Sequence, residues 1–232
     1  MYGRSAISTA VSIRTQLKGE LVKSLNPRIV VTNYGKAFEI DPRSAPPTEV
    51  TQKMLHSAFS TILGNHSLIL DIDGELPVSS GMGSSAALCS LVAATMDRIS
   101  GSPFNLDSIQ TKAMKLEQFY HLKSSGIDPV TVIRGGCIWF RDGHFKKFDV
   151  PKVPVAIIDT GREKSTAVSV KKVAEMIKDS PDIYRKIINE LGRISDRFYK
   201  SNPAKQTEII GRLFQEANGL LEAFDLGCPE SD

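Results

Sequence analysis

The feature that most constrains this chain is a junction between a short apolar run at residues 67–72 and a helix-length stretch, Ser84–Ile99, that is apolar on nearly all sides. A run of that length suits a buried strand, and a helix without a polar face belongs inside a core. Between them lies Pro77-Val78-Ser79-Ser80-Gly81-Met82-Gly83-Ser84-Ser85-Ala86. Gly81 and Gly83 carry no side chain, so the backbone can turn sharply and approach an anion, while the new helix directs unpaired N–H groups and its positive dipole end at the same place. Ser79, Ser80, Ser84 and Ser85 add hydroxyl donors. The Lys-Ser/Thr pair of the common ATPase P-loop does not follow the glycines. A Gly/Ser turn whose serines cap a core helix would present the same residues.

The rest of the chain supports a globular protein of mixed strands and helices. At 232 residues, 41% apolar and 24% charged, it is long enough for one large domain or two small ones. A net charge of +3, with Lys and Arg scattered among acidic residues, makes no case for nucleic acid but suits an anionic ligand. Cys89, Cys137 and Cys228 are odd in number and lack CxxC or Cys/His spacing, which argues against a disulfide framework or a zinc site. A reducing, cytoplasmic setting is expected. No apolar run approaches the roughly 18 residues of a membrane span, and no export signal is recognisable at the N-terminus.

Along the chain, residues 6–21 read as one strand and residues 28–40 as two strands turning at Asn33-Tyr34-Gly35. Residues 48–63 have helical spacing, and Asn105 can cap a further helix reaching about His121. Residues 137–140 and 145–148 pair across Asp142-Gly143. A strand is expected at residues 155–158, followed by three helices, with a domain boundary near Pro151. Trp139 and Phe140 read as strand core; His56, His66, His121 and His144 receive no role.

Glu117 and Asp128 flank a Ser124-Ser125-Gly126 turn. Phosphoryl transfer needs oxygen ligands for Mg²⁺ and a group that positions or deprotonates the attacking hydroxyl, and two carboxylates can supply both. A turn-forming Asp and a solvated helix Glu would look alike in sequence.

The residue string 77–86 followed by an apolar helix resembles the second motif of the GHMP kinases, and the segment from Glu117 to Gly136 resembles that of the mevalonate kinases among them. Tyr2-Gly3-Arg4-Ser5-Ala6-Ile7-Ser8 and Asp159-Thr160-Gly161 with Ser165-Thr166 are similar to two further segments of those kinases. The resemblance implies an α+β, two-domain GHMP kinase fold: a ribosomal-protein-like N-terminal ATP-binding domain at residues 1–150, and an incomplete ferredoxin-like C-terminal domain at residues 151–232. It implies ATP as co-substrate, wrapped by Pro77, Val78, Ser79, Ser80, Gly81, Met82, Gly83, Ser84, Ser85 and Ala86. By the same resemblance Ser85 and Glu117 hold Mg²⁺, Asp128 is the catalytic base, and Thr166 contacts substrate. The implied reaction carries the γ-phosphoryl of ATP to mevalonate, giving 5-phosphomevalonate on the route to isoprenoids, with no nucleic-acid or membrane partner. A homodimer is compatible with it.

Members of that family carry a lysine-bearing strand before the tyrosine-glycine segment and a glycine-rich loop after the region resembling residues 218–230. Neither is found in this sequence, so the resemblance implies a chain truncated at both ends, with exposed apolar surface and low activity. Three rival readings stand beside it. A phosphomevalonate kinase would need basic residues such as Arg162 and Lys164 near its substrate, a silent nucleotide-binding protein would keep the fold without turnover, and an RNA-binding domain would need a basic, aromatic patch that is not seen.

Overall fold

The computed structural model describes residues 2–76, 81–121, 124–150, 166–201 and 207–226. Contacts divide the chain into two units. One comprises residues 11–78 and 82–134, and the other residues 1–10, 79–81 and 135–232. The single strand expected at residues 6–21 is two: β1 (Ala6–Thr9) and β2 (Thr15–Lys23). They belong to different sheets and pair with different partners, a separation that uniform β-propensity across residues 6–21 does not mark.

In the first unit, β2 is followed by β3 (Ile29–Asn33), β4 (Lys36–Ile40), α1 (Val50–Phe59) and β5 (His66–Gly74). The sheet order is β2-β5-β3-β4, with β5 antiparallel to β2 and parallel to β3. The β3–β4 hairpin turns at Tyr34 and Gly35, both at positive φ as a type I′ turn requires. Along β5 the side chains alternate: Leu68, Leu70 and Ile72 are buried, while Ile69, Asp71 and Asp73 face out. One face of the sheet is therefore covered and the other solvated. Gly74 ends the strand where the β2 backbone comes so close that a Cβ would lie 2.4 Å from the Arg14 carbonyl oxygen.

Helices cover the apolar face. α1 is shorter than the expected 48–63, because Glu49 caps its start by accepting from Thr51 N and Gln52 N, and Leu63 is buried beyond its end. α2 (Ser84–Ile99) has the expected bounds, and Cys89, Val92 and Ala93 pack into the core with Met54, Leu55 and Phe59 of α1. Asn105 caps α3 (Leu106–Leu116) as expected, but that helix stops before His121 and passes into a 3₁₀ turn, Glu117–Phe119. A further helix, α4 (Ile127–Arg134), occupies a segment that the sequence reading left without an element.

In the second unit β1, β6 (Cys137–Arg141) and β7 (His144–Phe148) form an antiparallel sheet in the order β1-β6-β7. The β6–β7 hairpin turns at Asp142 and Gly143 as expected. Three helices follow, α5 (Thr166–Asp179), α6 (Pro181–Lys200) and α7 (Thr207–Glu222), while the strand expected at residues 155–158 lies outside the described residues. Ile194, Phe198 and Leu213 form the centre of this unit, with Ile7 and Phe148 packed against them. Trp139 is only half-buried, and its indole N–H donates to Asp196 at 2.9 Å. Cys89 and Cys137 are buried free thiols. No helix among the described residues is long and apolar enough to cross a membrane.

Candidate active site

The start of α2 is a helix N-terminus left open. Its cap position is Gly83, at φ 73°, which makes no side-chain capping bond. The first intrahelical bond runs from Ala87 N to the Gly83 carbonyl at 2.9 Å. The N–H groups of Ser84, Ser85 and Ala86 therefore have no partner within the helix. A Ser, Asp or Asn in the cap position would fill that role with its own oxygen; glycine leaves the donors to an outside anion.

Ser85, in the first turn, donates its hydroxyl to Glu117 Oε1 at 2.8 Å. Glu117 lies where α3 gives way to the 3₁₀ turn and is 1% exposed. Its second oxygen accepts from the Ser124 hydroxyl at 3.2 Å. Removing a carboxylate from water costs several kcal/mol unless its lone pairs are satisfied, and here two hydroxyls meet both oxygens. The helix bearing Glu117 is itself anchored: Ile109, Ala113 and Leu116 enter the core, and Lys112 pairs with the buried Asp97 of α2. Ser108 donates to the same aspartate at 3.1 Å. The negative charge of Glu117 adds to burial in pushing the Cys89 thiol pKa upward.

Asp128 stands in the first turn of α4, and its Cβ lies 4.0 Å from where a Cβ on Gly83 would be. It thus lies beside the same helix mouth. Although Asp128 keeps access to solvent, the protein packed around its carboxyl raises its pKa above the ordinary aspartate value, and the His121 charge draws it partly back.

The fold therefore gathers three of the expected site residues, Ser85, Glu117 and Asp128, around one end of one helix. Gly81, Met82, Gly83, Ser84 and Ala86 belong to that approach, with Gly81 also at positive φ. Pro77, Val78, Ser79 and Ser80 lie outside the described residues, as do Arg162 and Lys164. Thr166 is the first residue of α5, in the other unit. Two participants were not foreseen. Ser124 read as a turn former, and no local pattern signals that its hydroxyl turns to a carboxylate on the preceding element; His121 had position as its only clue.

Residues 49–136 match the family described as GHMP kinases N terminal domain. A mevalonate kinase of Thermococcus sibiricus is 25% identical over 248 residues, covering 96% of this chain and 72% of that protein. Among solved structures, L. major mevalonate kinase in complex with R-mevalonate superposes with a TM-score of 0.75 at 22% identity, over 99% of this chain and 72% of the other. Streptococcus pneumoniae phosphomevalonate kinase in complex with phosphomevalonate and AMPPNP gives 0.67 at 14% identity, over 96% and 74%. The two structures show a shared α+β fold.

Proposed function

We propose that this chain, which carries a GHMP kinase N-terminal domain at residues 49–136, is an ATP-dependent phosphotransferase acting on the primary hydroxyl of mevalonate, with 5-phosphomevalonate and ADP as products. The observation that carries the reading is the Ser85–Glu117 hydrogen bond beside an uncapped helix N-terminus that Asp128 also adjoins. The family match supports the reaction class, and the mevalonate kinase relatives support the acceptor.

The residues divide the work by chemistry. The open N–H groups of Ser84, Ser85 and Ala86 donate to phosphate oxygens. The Ser85 hydroxyl and the Glu117 carboxylate are hard oxygen donors that fit Mg²⁺, which typically takes one or two protein oxygens and fills its shell with phosphates and water. When bound, the ion neutralises charge on the phosphates. Ser124 keeps Glu117 oriented through Oε2. Asp128, ionised, takes the proton of the attacking hydroxyl, and its raised pKa makes it a stronger base than an ordinary aspartate. The buried free thiols of Cys89 and Cys137 suit a cytoplasmic enzyme.

The deciding experiment is ADP release by purified protein with mevalonate and with phosphomevalonate as alternative acceptors. Mevalonate-dependent turnover that D128N abolishes, with ATP binding retained, is expected. Turnover with phosphomevalonate alone would reassign the acceptor, and ATP binding without turnover of either would leave a silent nucleotide-binding protein.

A further inference from the structure

We infer that the outer edge of β2 is the contact surface of a homodimer, in which two copies pair their β2 strands antiparallel about a two-fold axis at Gly19. This goes beyond the phosphotransferase reading and rests on other residues. Among the described residues β2 has a strand partner on one side only, since the sheet order begins with it. The direction of its backbone groups follows from its two ends. The Arg14 carbonyl accepts from Glu75 N at 3.0 Å, and Ser24 N donates to the Asn65 carbonyl at 3.0 Å. Even-numbered residues therefore point their N–H and C=O groups at β5, and odd-numbered ones, from Thr15 to Lys23, present theirs to the open edge.

A second copy of the strand can pair only odd with odd. An axis at Gly19 meets this condition and sets Lys18 of each copy opposite Glu20 of the other, twice over, with Leu17 opposite Leu21. Moving the axis to Lys18 places lysine against lysine, and moving it to Glu20 places glutamate against glutamate. The order Lys-Gly-Glu is thus self-complementary in one register and repulsive in its two nearest alternatives. Charged residues on an exposed edge more often keep strands apart. Here their order selects a partner with the same sequence.

The two faces of the edge agree with this. Leu17, Gly19 and Leu21 lie on the side facing α2, where with Leu68, Thr95 and Ile99 they line an open groove of about 330 Å³. Leu21 is 43% exposed, and a partner's Leu21 set across from Leu17 extends over this groove. At the axis, Gly19 has no side chain, and a Cβ there would already press on Leu70 at 3.3 Å.

The test uses the full chain and measures mass by sedimentation equilibrium. Wild type is expected to be a dimer. E20K sets a lysine against a lysine of the partner at both sites and should weaken association by roughly tenfold or more. The double swap K18E/E20K restores opposite charges and should recover most of the loss. Because Lys18 also lies opposite Asp71 in β5, circular dichroism checks that each variant is folded. Register is tested separately by oxidative crosslinking. Residues 18 and 20 form a non-hydrogen-bonded pair, with Cα atoms about 4.5 Å apart and within disulfide reach. Mixing K18C with E20C should therefore yield covalent dimers that neither variant forms alone above the wild-type background. A monomeric wild type, a dimer indifferent to E20K, or self-crosslinking by E20C alone would each overturn the inference.

Discussion

A buried carboxylate proposed as a Mg²⁺ ligand can serve only if it holds one orientation, and Glu117 is held from both sides. Ser85 and Ser124 each satisfy one oxygen, at 2.8 and 3.2 Å. Ser124→Ala leaves Oε2 without its hydroxyl donor at a cost of about 1 kcal/mol. The expected result is a several-fold rise in the Mg²⁺ concentration needed for half-maximal rate, while the melting temperature shifts only modestly; an unchanged Mg²⁺ requirement would deny Ser124 a positioning role. Asp128 makes a pH-dependent case. Its folded-state pKa is raised, chiefly by desolvation, so its protonated form is favoured by folding. That contribution to stability is present below the unfolded pKa and is lost as pH rises through the folded one. D128N is therefore expected to melt no lower than wild type at neutral pH while losing turnover. The acid limb of kcat/KM should lie above the ordinary aspartate value. His121→Ala removes the charge that lowers this pKa, and should move the limb further up, as a pH–rate profile will show.

At the scale of elements, legibility followed how much of an element's cause is local. α2 and the two hairpins were readable because an apolar run between glycines and an x-Gly turn carry their own reasons. The passage from β1 to β2 was not, since what separates them is the choice of sheet partner. α4 is not legible because an eight-residue segment preceded by Gly126 and holding Pro129 in its first turn resembles a loop; a proline there loses no intrahelical bond. Of the candidate site, the loop and both carboxylates could be named in advance. Their convergence could not, because Ser85 and Glu117 are 32 positions apart and meet only when α3 packs on α2. Element packing also dictates a prediction at Gly74. Gly74→Ala places a methyl group against the Arg14 backbone, where no side chain can move aside, and is expected to cost about 1–3 kcal/mol as read from the denaturation midpoint.

For the whole molecule, the division of contacts matters more than the order of the chain. The unit that holds Ser85, Glu117 and Asp128 draws its entire principal core from residues 29–116. The other unit is assembled from distant pieces: Ile7 of β1 and Phe148 of β7 pack against Ile194 and Phe198 of α6 and Leu213 of α7. Asp196 of α6 accepts from Trp139 of β6, and Arg4 donates to Asn189 at 2.6 Å. A boundary at residue 150 would assign the C-terminal helices a core of their own. We propose that these helices share a unit with the sheet of residues 6–9 and 137–148, whose Ile7 and Phe148 pack against them. Two fragments distinguish these views. Residues 11–134 expressed alone should unfold cooperatively in denaturant, because the hydrogen-bonded ladder of β2 to β5 and the helices that cover it are all retained. Residues 151–232 alone should show helix without a cooperative transition, since Ile194, Phe198 and Leu213 would lose the strand residues they pack against. Cooperative unfolding of the second fragment would favour the boundary at residue 150.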